Sequence, residues 1–363
     1  MSIGTFIIIV ASLATVNYLA FAVMALRNEG GAPVEGLSER TIAAFTIAVS
    51  VPVAIALRSL DFGVDTLTYY RFYQQYCLLG DRDFEIGYLL SFAALNVATF
   101  GSCSADLLAS TWVALIVLSF LMLPISWYYR ICLLALSLVS IIGVELLTNA
   151  FRQGLSAAVL LSGVAWYERN KKVGIALLLV STILHTSAAL VLVALFLSRL
   201  RWRWYLLGVA VLAIVALNYQ AFTFIPAVEQ LVFEIAKYSA HEAADFWVRV
   251  LAAAQLFLVP AIAYLFSGKT ATADGSAEEI AALRDGRAMA AKLALTALPY
   301  LSLPYFGYRY IYGIYFVTLL LVRRSIADYR SPAFETLLVS NIILLLAWAF
   351  GSTIISAAPF INL

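Results

Sequence analysis

The chain has 363 residues, 63% of them hydrophobic and 12% charged, with a net charge of +2. A soluble domain carries roughly 25% charged residues, so the composition excludes an ordinary soluble protein, and the near-neutral balance without a basic tail gives no ground for a nucleic-acid partner. The two histidines, His185 and His241, have no H-x-x-x-H spacing, and the chain lacks a P-loop lysine and a G-x-S-x-G step, so neither a metal site nor a cofactor is expected.

In chain order, residues 3–26 form an apolar run long enough to cross the hydrocarbon core. The run has no basic n-region or small-residue cleavage site and is expected to be a retained span. After an apolar run ending at Arg58 comes "LDFGVDTLTYYRFYQQY" (60–76), which sets Asp61, Asp65 and Arg71 among six aromatic rings. The stretch extended to residue 85 holds five acidic and two basic residues and fits an outer loop, 61–85. Residues 86–101 are short for a span and carry Ser91 and Asn96, so a re-entrant or interfacial segment is expected. Residues 130–172 read as two spans with Arg152 and Gln153 at their outer turn. The basic loops 167–172 and 198–204 are both assigned to the cytoplasm, which makes 173–198 a helical hairpin with His185 near its apex. Spans at 205–217 and 246–266 follow, then an inner loop at 267–287 with a short surface helix, and spans near 288–304, 308–322 and 334–350. The expected fold is one all-α polytopic membrane domain, residues 1–363, with about 10–13 transmembrane or re-entrant helices. Of the three cysteines, Cys132 lies in an apolar run; Cys77 and Cys103 could meet outside the membrane, but free thiols are the expectation.

Charged and polar groups at membrane depth are expensive and point to function. On this topology Arg58 to Asp65, Glu145 to Arg152, His185 and Arg309 all approach the outer face. Each also has a plainer reading. Arg58 can snorkel. Asp65, Tyr69, Phe72 and Tyr76 share one helical face and can form an interfacial aromatic belt. Glu145 and Arg152, about two turns apart, can form a structural ion pair. A lone His185 can be a hydrogen-bonded packing residue, and Arg309 with Tyr312 can belong to an interfacial helix. Together, guanidinium forks suit phosphate and aromatic rings suit the apolar faces of sugars, so a lipid-linked phosphosugar is the ligand class this set fits best.

The same residues resemble the EpsG-like branch of the Wzy polysaccharide polymerases. The resemblance rests on Arg58, "GVD" (63–65), Tyr69 and Tyr70, "EIGY" (85–88) with Ile86 where the family tends to have proline, "FRQGLSAA" (151–158), "LHTSAAL" (184–190) and "YRYIYGIYF" (308–316). It implies a metal-independent GT-C-type glycosyltransferase in the bacterial inner membrane, with its site facing the periplasm or outside. Such an enzyme moves an undecaprenyl-pyrophosphate-linked glycan onto a lipid-linked repeat unit, for an O-antigen or exopolysaccharide, and a chain-length regulator is a further partner in this frame. His185 or Asp65 would take the acceptor proton, with His185 preferred. Arg58, Arg152, Gln153, Arg309, Tyr312, Tyr69, Glu85 and Glu145 would bind pyrophosphate or saccharide. The 60–76 stretch is expected to be a saccharide-facing lid. The rival functions are a lipid-linked oligosaccharide flippase or transporter, a glycan ligase and a membrane acyltransferase. A flippase would more readily show internal pseudo-symmetry, of which the sequence gives no sign.

Overall fold

The computed structural model describes residues 39–56, 66–103, 105–148, 150–218, 221, 242–266, 277–301, 307–326 and 332–355. The expected first span, Arg58, Asp61, Asp65 and His241 lie outside these residues, as does the first part of the 267–287 loop, 267–276. Every regular element among the described residues is a helix, fifteen in all. They fall into two compact units, divided after His185.

The first unit contains α1 (Glu39–Ala56), α2 (Thr66–Leu78), α3 (Ile86–Ala98), α4 (Ala105–Leu121), α5 (Trp127–Leu138), α6 (Ile141–Thr148), α7 (Phe151–Arg169) and α8 (Lys171–Leu184). Helix α7 packs along α8, against α4 and α6, and at its start against α3, while α3 also meets α8. Small residues explain the close pairing of α7 with α8: Ser156, which is buried, donates its hydroxyl to the Ser181 carbonyl across the helices at 2.7 Å. The turn between them is set by Asn170, whose side chain accepts from the Lys172 and Val173 amides and so satisfies orphan donors at the α8 N-terminus.

The second unit contains α9 (Ser187–Ser198), α10 (Trp202–Leu217), α11 (Glu242–Leu265), α12 (Ala277–Leu301), α13 (Gly307–Leu321), α14 (Arg323–Ile326) and α15 (Ala333–Ile355). Its core gathers Tyr205, Tyr312, Tyr315, Phe334 and Trp348, all buried. Lys292 of α12 is buried too, donating to the Ser198 and Leu200 carbonyls at 3.2 and 2.7 Å and so capping the end of α9.

Three expectations are refined. The first expected span of 130–172 is broken: α5 and α6 meet at 81°. Ser140 accounts for the break, because its hydroxyl bonds back to the Ser137 carbonyl and accepts from the Gly143 amide, starting a new helix where the old one would continue. The short surface helix and the span expected at 288–304 are one continuous helix, α12, of 25 residues. Residues 86–101, expected to be re-entrant or interfacial, carry a 13-residue helix, α3, which at 1.5 Å per residue is only about 20 Å long.

No single described helix is long and apolar enough to cross a membrane, although the bent α5–α6 pair passes on length and composition. The surface nevertheless suits lipid. Ile175, Leu179, Val180 and Ile183 of α8, and Leu206, Leu207, Val211 and Ile214 of α10, are exposed, a density of apolar side chains that water would penalise. The all-helical fold and this surface are consistent with a polytopic membrane protein.

Candidate active site

The site is built where α2, α3, α4 and the start of α7 come together. Residues 69, 73 and 76 are spaced i, i+4, i+7 and lie on one face of α2. All three tyrosines are buried. Tyr69 meets Tyr88 of α3, Trp112 of α4 and Phe151 of α7 with ring centroids 5.9, 5.5 and 5.9 Å apart. Trp112 and Phe151 stack at 5.3 Å, and Phe72 and Phe84 pack on Tyr88. The tyrosine face expected to form a saccharide-facing lid is therefore turned inward. Burying three rings gains more than presenting them to solvent, and the exposed side of α2 carries Arg71 and Gln75 instead.

The far end of α2 is tied down covalently. Cys77 and Cys103 form a disulfide, against the expectation of free thiols. The turn after α3 makes it reachable: Phe100 and Gly101 both adopt positive φ, 52° and 78°, reversing the chain so that Cys103 returns to α2. Tyr73 reinforces the turn by donating its hydroxyl to the Ser102 carbonyl at 3.1 Å. Cys132 is free and buried, as expected.

Arg152 stands on the aromatic platform. Its Nη1 bonds Glu85 Oε2 at 2.7 Å, and its guanidinium lies over the Tyr88 ring, 3.9 Å from the centroid. The arginine side chain is 13% exposed and the carboxylate 65%. The buried Nε of Arg152 has no hydrogen-bond partner among the described residues, nor has the buried indole Nε1 of Trp112. The cation is thus held flat by a ring, gripped on one edge by an exposed carboxylate, and left with unused donor capacity. A buried donor without a partner is costly, and a phosphate or sugar oxygen would satisfy it.

Glu85, Tyr69 and Arg152 therefore meet in the first unit, around the Tyr88 ring. Gln153 is buried beside Arg152 at the start of α7, and Glu145 is buried on α6, where its carbonyl accepts from the Ala150 amide in the α6–α7 turn. The ion pair found for Arg152 is with Glu85, whereas sequence spacing offered Glu145. Partners distant in sequence are invisible to helical periodicity. His185 follows α8 in an extended conformation, φ −157° and ψ 131°, so the helix breaks there. In the second unit, Tyr312 is buried on α13, and Arg309 belongs to the same helix. Sequence reasoning missed Tyr88, Trp112 and Phe151. Tyr88 lay inside the quoted "EIGY" step, whereas Trp112 sat in an apolar run with nothing to mark it.

A model of the EpsG family matches residues 41–362. The chain belongs to the EpsG family. This is a Wzy-like polysaccharide polymerase family, and the match takes in Arg152, Glu85, His185 and Arg309 alike. No curated protein and no solved structure matches the chain. Membership in the EpsG family indicates a polymerase-like glycosyl-transfer activity on lipid-linked saccharides in a membrane.

Proposed function

We propose that this EpsG-family protein extends a polysaccharide by transferring the growing glycan from an undecaprenyl pyrophosphate carrier to a hydroxyl of a new lipid-linked repeat unit. The observation that carries this reading is Arg152: a guanidinium on an aromatic platform, paired to an exposed carboxylate, with a buried donor left over. In the reaction the acceptor oxygen attacks the anomeric carbon, and the bond from that carbon to the pyrophosphate oxygen breaks. The acceptor proton passes to a base, and the lipid pyrophosphate leaves as an anion. Charge grows on the leaving pyrophosphate, so Arg152 would stabilise the transition state more than the ground state, and Arg309 and Arg58 are the further cations assigned to that group. With arginines in this role, a GT-C-type transfer can proceed without a metal. His185 is the preferred base, because its ordinary titration range lies near neutrality; Asp65 is the alternative. Glu85 would exchange its arginine for a sugar hydroxyl as substrate enters, and Gln153, Glu145, Tyr69 and Tyr312 would line or support the saccharide path.

The site is assigned to the outer face of the bacterial inner membrane. The Cys77–Cys103 disulfide supports this, since such bonds persist in oxidising compartments. Because the third cysteine is buried, a cysteine introduced at Gly80 can be labelled with little background. It should react with a membrane-impermeant reagent in intact cells, whereas one introduced at Lys171 should not. The reverse pattern would overturn the orientation. The reaction itself is tested by giving the purified protein lipid-linked repeat units alone: chains longer than one repeat are expected, and transport without elongation would favour a flippase.

A further inference from the structure

Two contacts hold the end of α8, beside His185, and a third closes α3 onto α7. The Ser181 carbonyl accepts the His185 amide at 3.1 Å and also the Ser156 hydroxyl at 2.7 Å, so α7 fixes the last turn of α8 one helical turn along from Arg152. From the other side, α3 comes so near that a Cβ on Gly87 would lie 2.5 Å from the Leu184 carbonyl oxygen and 2.8 Å from that of Ile183. Both are backbone atoms, so a side chain at residue 87 cannot be admitted by a rotamer change; α3 or the end of α8 must move. Gly87 lies between Glu85 and Tyr88, the two residues that hold Arg152. The third contact is that grip on Arg152, which closes α3 onto α7.

We infer that Gly87 is a positioning residue: its missing side chain sets the distance between the Glu85–Arg152–Tyr88 cluster and His185. The inference rests on the proposed catalytic use of Arg152 and His185, and it assigns the glycine of the "EIGY" step a mechanical task rather than contact with substrate. The carbonyls of Ile183 and Leu184 belong to the last turn of α8, where they have no onward helical partner, so close approach by a glycine also shields them without inserting a side chain. Displacing α3 by even a fraction of an ångström would separate the group that takes the proton from the group that receives the leaving charge, and reactions that depend on such alignment are sensitive to it.

The chain has only two histidines, which permits a test independent of turnover. In a His241→Gln background with a histidine-free tag, ring-labelled histidine gives one imidazole signal, that of His185. Gly87→Ala in this background, reconstituted in nanodiscs, is expected to shift that signal while the thermal transition stays cooperative, and to slow elongation of lipid-linked repeat units about tenfold or more. Ser156→Ala, which removes a hydrogen bond without adding bulk, should move the same signal less. An unshifted imidazole signal in folded Gly87→Ala would overturn the inference. A shifted signal with unchanged elongation would uphold the positioning and instead remove His185 from the proposed chemistry.

Discussion

At the α3–α7 junction of the first unit, a partly exposed arginine meets a carboxylate that is 65% exposed and retains a buried donor with no hydrogen-bond partner among the described residues. At the α11–α13–α15 junction of the second unit, Gln255 donates to Asn341 at 3.0 Å and Asn341 donates to the Tyr315 hydroxyl at 3.0 Å, and all three residues are fully buried. Both junctions place polar groups among apolar helices. The second links them into a chain with one another, as a protein interior demands of polar groups it means only to store. The first leaves charge at the border of solvent with bonding capacity to spare, an arrangement that stability alone does not favour. The difference separates a candidate site from a structural polar core.

The largest expected effect is at Arg152. Arg152→Lys keeps the charge but loses the planar fork and the stacking on Tyr88, and elongation of lipid-linked substrate should fall about 10²-fold, the scale of losing one stabilising donor in a transition state. Near-normal polymer length and yield from this variant would break the comparison at its stronger end. Next is the disulfide, which closes a segment with a sequence separation of 26. Cys77→Ser should cost about 3 kcal/mol by chain-entropy reasoning, seen as a lower thermal midpoint in nanodiscs. A midpoint identical to that of the parent protein would show that the aromatic packing of α2 suffices.

Asn341→Leu probes the other junction. It removes one hydrogen bond from Gln255 and one from Tyr315, a loss of about 1–3 kcal/mol. The thermal midpoint should fall while turnover per folded molecule is unchanged. A selective loss of turnover with the midpoint retained would make this junction functional and erase the contrast. The smallest effect is expected from Tyr88→Leu, which removes the ring under the guanidinium and with it about 0.5–1 kcal/mol. The apparent KM for the lipid-linked donor should rise about threefold, with kcat reduced less. No change in either constant would leave Glu85 as the sole anchor of Arg152.

The helical architecture and the candidate groups were legible in the sequence, because hydrophobic run length and the rarity of charge within apolar segments are local properties that lipid imposes on any order of helices. The break at His185, the short α3 and the turn before Arg152 followed from such local signals. The pairing of Arg152 with Glu85 did not, since 67 residues separate them and the helical spacing visible in sequence pointed to Glu145. The inward turn of the α2 tyrosines was equally hidden: period alone defines a face but does not say whether protein or solvent covers it. The same holds for the Cys77–Cys103 bond, which depends on the reversal at Phe100 and Gly101, and for Gly87, an unremarkable glycine until the Leu184 carbonyl is seen beside it. Composition and periodicity determined which residues would be costly to bury. Only the packing of α3 against α7 and α8 decided which of them share a place, because contact between distant segments is set by the shape of the whole helical packing and leaves no trace in local order.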